Sequence, residues 1–399
     1  MVFENFTSAH FTVLWLAFGI AFVMGAVVNK THFCTMGAVS DWVNMGHTGR
    51  MRAWIFAGVV GIIGVIFLES FHLLSTDGAR PPYRGGNFAW LEYLLGGLMF
   101  GVGMTLGSGC GNKTLIRIGG GNIKSLFVFF VIGVFAYYMV NPLYADVTLY
   151  SLLFYPWTNP TTIGLSTRQD LGSLAALALP SLDPALLRMV IGAVLALVLL
   201  FFVFKSEDFR KSFDNILGGL VVGLAVLAAW YLSGSYVQIN ADGEVMTWTK
   251  YASDDVWTMV QEAPRPKSIG IQGLSFINPI GESLGYSADI LNSVSALQPR
   301  LSSLWLTFGV MTVFGVIAGS FVWAVLSRGF RVEWFASKGD FLIHLVGGVL
   351  MGIGGVLALG CTIGQAVTGV STLALGSFIA FAGIIIGSAV TMKIQFRLM

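Results

Sequence analysis

The 399 residues are 55% hydrophobic and 11% charged, with 50 glycines and a mean hydropathy of +0.78, values that exclude an ordinary soluble domain. A net charge of +2 without a concentrated basic patch gives no ground for nucleic-acid binding. The three cysteines lie in or beside apolar segments, and an odd number cannot be fully paired within one chain.

This composition places the chain in a lipid bilayer, where about 20 apolar residues cross the hydrocarbon core. Nine spans are predicted, near residues 11–28, 52–71, 91–109, 122–140, 186–204, 215–233, 302–326, 341–360 and 372–392. Only Glu4 and His10 precede the first, so it lacks the basic start of a signal peptide and is expected to stay as a membrane helix. With the N-terminus outside, the clusters Lys205, Arg210, Lys211, then Arg328, Arg331, Lys338, then Lys393, Arg397 fall on the cytoplasmic side. Loops 141–185 and 234–300 then lie outside, and the C-terminus is cytoplasmic.

Between the first two spans, NKTHFCTMGAVSDW (residues 29–42) is too polar and too short to cross, yet carries Cys34. Irregular backbone at membrane depth is tolerated where it is buried or lines a watery cavity, so a re-entrant segment is expected here. The corresponding place later in the chain is GLSFINPIGESLG (residues 273–285), with Pro279 and several glycines but no cysteine. A re-entrant segment and an ordinary external loop both remain open there.

The third span runs into GVGMTLGSGCGNKTL (residues 101–115) and the eighth into GIGGVLALGCTIGQA (residues 352–366). Gly96, Gly97, Gly101, Gly103, Gly109 and Cys110 recur at a constant offset as Gly347, Gly348, Gly352, Gly354, Gly360 and Cys361. The two copies run in opposite directions by the span count, which makes an inverted repeat of the kind found in transporters. Residues 1–140 form one half and 215–399 the other, with 141–214 supplying an external loop and a linking span. After each repeated cysteine come about ten residues, GNKTLIRIGGGN and TIGQAVTGVST, too short to span. Each reads as a half-helix whose N-terminus points into the protein, where free amides and the helix dipole attract anions. The glycines also permit close packing of membrane helices.

The candidate transport residues are therefore Cys34, Cys110 and Cys361, flanked by Gly109, Gly111, Asn112 and Lys113 in one copy and Gly360, Thr362 and Gln365 in the other. Lys113, Arg117 and Lys124 either draw anions on the cytoplasmic side or simply mark topology. A zinc or iron–sulfur site needs about four close ligands, whereas the histidines are scattered at 10, 32, 47, 72 and 344. Met36 and Met104 make no ordered ladder for monovalent copper. A persulfide-carrying enzyme needs an activated thiolate, and no histidine adjoins Cys110 or Cys361 in sequence. No catalytic residue, metal or cofactor is expected. Thiols and amides without fixed charge best suit a soft anion.

The stretches THFCTMGAVSDW, GSGCGNKT and LGCTIGQAVTG, within an inverted repeat of this length, resemble the YeeE/YedE family of membrane proteins, which includes bacterial thiosulfate uptake transporters. The resemblance covers most of the chain. It implies an all-α polytopic, hourglass-like fold with broken half-helices, and a narrow central route along which three cysteines pass thiosulfate by thiol contacts. By motif those roles fall on Cys34, Cys110 and Cys361. It further implies thiosulfate uptake across the bacterial inner membrane, with the cytoplasmic loops as candidate docking ground for a soluble sulfurtransferase. Loops 141–185 and 234–268 look longer than compact members of the family require. Some members are associated with selenium metabolism, so a selenium compound, another sulfur species or a persulfide-transfer role stand as alternatives.

Overall fold

The structure is a computed structural model that describes residues 1–241, 243–253, 256–257, 268–295 and 306–398. It is an all-α polytopic membrane protein, with nine candidate membrane spans among the described residues. The chain crosses through α1 (Phe6–Thr31), α3 (Gly49–Ser70), α4 (Trp90–Leu106), α6 (Ile123–Val140), α7 (Pro184–Lys205), α8 (Phe213–Tyr231), α10 (Phe308–Leu326), α11 (Lys338–Leu357) and α13 (Leu375–Leu398). Four further helices begin inside the bundle: α2 (Thr35–Met45), α5 (Gly111–Gly119), α9 (Ile277–Ser295) and α12 (362–371). These nine spans match the predicted ones, except that 302–305 of the seventh lie outside the described residues.

Polar residues start most of the spans. Asn5, Asn122, Asp183, Ser212, Thr307 and Ser337 each accept a hydrogen bond from an amide of the helix they precede, meeting a donor that has no intrahelical partner.

Helix packing recurs in matching pairs. Helix α1 packs along α10 as α8 packs along α3, and α4 packs along α13 as α11 packs along α6. Helices α4 and α11 meet each other at the centre of this arrangement. The repeated glycines explain how: a Cβ at Gly103 would lie 2.8 Å from the Gly347 carbonyl oxygen, and one at Gly96 2.8 Å from that of Gly354. At positions this close only glycine lets backbone meet backbone.

Ion pairs and loop contacts sort the ends of the helices onto two faces. On one face, Met1–Phe3 joins a small sheet with Gln238–Ala241 and Glu244–Thr247, and Arg80 meets Ile271 through the backbone. There Arg188 pairs with Asp170 at 3.0 Å, and the buried Arg84 pairs with Glu69 at 2.6 Å while donating to the Thr372 carbonyl. The opposite face holds Lys30 with Asp214, Arg50 with Asp41, and Lys124 with Asp340.

The long loops have structure of their own. Residues 141–183 contain short helices at Leu149–Leu153, Tyr155–Thr158 and Leu171–Ala178. The polar 234–268 segment contains the paired strands just described and a short helix at Trp248–Tyr251, whereas 242, 254–255 and 258–267 lie outside the described residues.

Candidate functional site

Cys110 and Cys361 occupy the same local structure. Helix α4 ends with a left-handed residue, Ser108 (φ 60°), and α11 ends with Leu359 (φ 57°). In both, the following glycine amide reaches back across the last turn, Gly109 to Met104 and Gly360 to Gly355, each at 2.8 Å. This is a Schellman-type stop, which satisfies carbonyls that a helix end would otherwise leave bare. The cysteine comes next, and its carbonyl accepts the first bond of a new helix: Thr114 amide to Cys110 at 2.9 Å, Gln365 amide to Cys361 at 2.8 Å. Cys110 and Cys361 thus stand at the N-termini of α5 and α12.

Cys34 adopts the same pattern without a glycine. His32 is left-handed (φ 51°), two residues ahead of the cysteine, and the Ala38 amide donates to the Cys34 carbonyl at 3.0 Å. All three thiols are free and buried. Cys110 lies close enough to Cys34 and Cys361 to feel both electrostatically, so the fold brings the three together although 327 residues separate the outer two.

The fourth inward helix, α9, resolves the alternatives left by residues 273–285. Phe276 caps it, with the Ile280 amide donating to its carbonyl at 2.9 Å, and Leu274, Phe276, Ile277 and Ile280 are buried. The segment enters the bundle. Ile277 packs against Gly111, where a Cβ would come within 2.8 Å of its side chain, and Ser275 stands beside the Cys361 thiol. Four helix N-termini thereby converge, three capped by cysteine and the fourth bringing a serine hydroxyl.

The polar atoms around this point are short of partners. Thr35 Oγ1, Asn112 Oδ1 and Gln365 Oε1 are buried and make no hydrogen bond. Buried polar groups are normally paired, and a cluster of unpaired ones marks a place where water or a ligand supplies the partner. Thr362, at the start of α12, stands within hydrogen-bonding reach of the Cys110 thiol. At Cys361 the sulfur accepts from the Gly364 amide at 3.4 Å, so that face of the sulfur is already engaged and its S–H is left to donate elsewhere. At Cys34 and Cys110 no side-chain cap forms.

The remaining expected residues fall around this cluster. Gly109 leaves space that the Lys113 side chain closes, with a Cβ there only 2.9 Å from Lys113 Cγ. A Cβ at Gly360 would lie 3.4 Å from Gln365, whose amide nitrogen donates to the Ala358 carbonyl and so ties α12 to the end of α11. Lys113 forms no ion pair among the described residues, and Lys113 and Arg50 both act on the charge of His32. Arg117 and Lys124 instead bind Glu333 and Asp340, which gives them a structural use.

A cavity of about 400 Å³ opens between these residues and the face that carries the N-terminus. Ser275, Leu359, Gly360, Arg80, Pro81 and Gln272 are among the residues that line it. Sequence reading missed Thr35, Ser275 and this cavity. A polar residue directly after a cysteine, as in Cys34-Thr35 and Cys361-Thr362, was the available signal for the first.

Two matching helix stops, each feeding a buried cysteine at a half-helix start, sit at the centre of a polytopic membrane protein. The sequence profile of the family described as Sulphur transport matches residues 30–390, and the chain belongs to that family. Among curated proteins it is similar to the thiosulfate transporter TsuA of Escherichia coli (strain K12), 26% identical over 385 residues, covering 92% of this chain and 90% of that protein. It is also similar to the thiosulfate transporter TsuA of Spirochaeta thermophila, 22% identical over 387 residues, covering 96% of this chain and 100% of that protein.

Proposed function

We propose that this protein imports thiosulfate across a bacterial inner membrane, handing the anion along Cys361, Cys110 and Cys34. The observation that carries this reading is that three helix N-termini, each preceded by a buried cysteine, lie within electrostatic reach of one another. Thiosulfate has a polarizable terminal sulfur that takes S–H donors and oxygens that take hydroxyls and helix amides. Charge-assisted hydrogen bonds of about 1.5–3 kcal/mol each would offset part of the dehydration without trapping the ion. Sulfate lacks the soft end.

In this reading the cavity at Arg80 is external and the face with Lys30, Arg50 and Lys124 is cytoplasmic, which follows the positive-inside rule. The N-terminus is then outside and the C-terminus inside. Residues 1–140 and 215–399 act as the two inverted halves, with α7 in 141–214 linking them. A cytoplasmic sulfurtransferase could receive the anion beside Cys34 and Lys113. Import of a dianion against an inside-negative 100 mV costs about 4.6 kcal/mol, twice the roughly 2.3 kcal/mol for one charge, so uptake needs coupling or rapid consumption.

The test is uptake of radiolabelled thiosulfate into cells lacking their own thiosulfate and sulfate importers. Expression of this protein should restore uptake that excess sulfate does not suppress. Uptake abolished by sulfate, or absent while selenite or another sulfur species enters, would contradict the assignment.

A further inference from the structure

Among the described residues, one carboxylate, Glu282, lines the cavity that reaches Ser275 and Gly360 beside Cys361. It has no ion pair among the described residues, and three neutral donors hold it: Ser268 Oγ at 3.0 Å, Asn278 Nδ2 at 3.0 Å and Thr307 Oγ1 at 2.6 Å. A bare carboxylate on the entry route of a dianion is an electrostatic obstacle, and burial in a low-dielectric bundle magnifies it. Arg80, the only cation lining the same cavity, also lacks an ion pair among the described residues. From the helices packed against α9, the lining side chains are Phe308 and Thr312 of α10, Val140 of α6 and Val356 of α11, with Tyr137 of α6 against Gly281; none carries a charge at neutral pH.

We propose that Glu282 is a proton-binding site linked to the anion, protonating as thiosulfate occupies the cavity. This rests on the thiosulfate reading above. The surroundings suit a proton better than a metal cation. Asn278 presents its amide nitrogen, not an oxygen, and both hydroxyls can turn to accept from a protonated carboxyl. Protonation removes one negative charge from the vestibule and leaves Arg80 to face the anion. Linkage makes the effect reciprocal: the anion raises the proton affinity of Glu282, and the proton raises the affinity for the anion.

The experiment is calorimetric binding of thiosulfate to the purified full-length protein in buffers of different ionisation enthalpy, which counts protons taken up. Wild-type protein should capture up to one proton per anion. Its affinity should fall by up to roughly tenfold per pH unit once the carboxylate is ionised, because only the protonated fraction binds well. Glu282→Gln, a permanent neutral mimic, should bind thiosulfate with no proton uptake and a flat pH profile. Proton uptake retained in Glu282→Gln overturns the proposal, and so does thiosulfate binding by the wild-type protein with no proton uptake at any pH. The wild-type arm decides the matter even if the variant fails to fold. Wild-type protein that does not bind thiosulfate at all would overturn the underlying substrate reading, and this inference with it.

Discussion

The two broken helices resemble each other more closely than the two entering helices do. Around Cys110 and Cys361 the backbone matches position by position: left-handed residue, glycine reaching back, cysteine, new helix. Helices α2 and α9 share only the placing of an N-terminus in the bundle, one capped by Cys34 and the other by Phe276 with Ser275 alongside. Backbone geometry is duplicated where a helix must stop inside the membrane, because few residue sequences allow that stop. Side-chain chemistry diverges on the two sides of the cysteine cluster. The cavity side offers a thiol with a hydroxyl, whereas the other side offers a second and third thiol.

The largest expected effect breaks the shared frame itself. A Cβ at Gly101 would run into the Ile384 carbonyl of α13, so Gly101→Leu forces two central helices apart. No monodisperse protein should be recovered from membranes on size-exclusion chromatography. Next comes the clamp on the cavity side. Burial acts to raise the Asp170 carboxyl, but the hydrogen bonds and charge of Arg188 outweigh it and hold the group below its usual 3.8. Asp170→Asn leaves Arg188 unpaired and should cost about 3 kcal/mol of thermal stability. Since the carboxyl is depressed in the folded state, this contribution is complete above the ordinary carboxylate range and fades as pH falls through the folded value. An Asp170→Asn protein should therefore lose its deficit relative to wild type in strong acid.

The smallest effect sharpens the contrast between the entering helices. Ser275→Ala removes a neutral hydroxyl beside Cys361 and should slow thiosulfate uptake by roughly 2–10-fold, the worth of one neutral hydrogen bond. Ser275→Cys should restore it if softness is welcome at that place. Cys34→Ser should weaken discrimination against sulfate more than it slows transport.

Much of this was legible in the sequence because membrane helices announce themselves by composition, and because the matched glycines and cysteines hold a constant offset. The nine spans and both half-helices after Cys110 and Cys361 were readable on those grounds. Residues 273–285 were not decided by sequence, since the match to residues 29–42 is positional and a cysteine is missing; only burial of Phe276 and Ile277 shows that α9 enters the bundle. Ser275 and Glu282 were invisible for a related reason. Each acquires its significance from a neighbour distant in the chain, Cys361 for Ser275 and Ser268 with Thr307 for Glu282.

The most direct test of the central claim is the initial rate of radiolabelled thiosulfate uptake into proteoliposomes carrying wild-type protein, Cys110→Ala or Cys361→Ala at equal protein density. Loss of a charge-assisted thiol contact predicts a fall of roughly 10–100-fold for each variant with the fold intact. Wild-type rates in both alanine variants would contradict the account and leave the cysteines as packing residues.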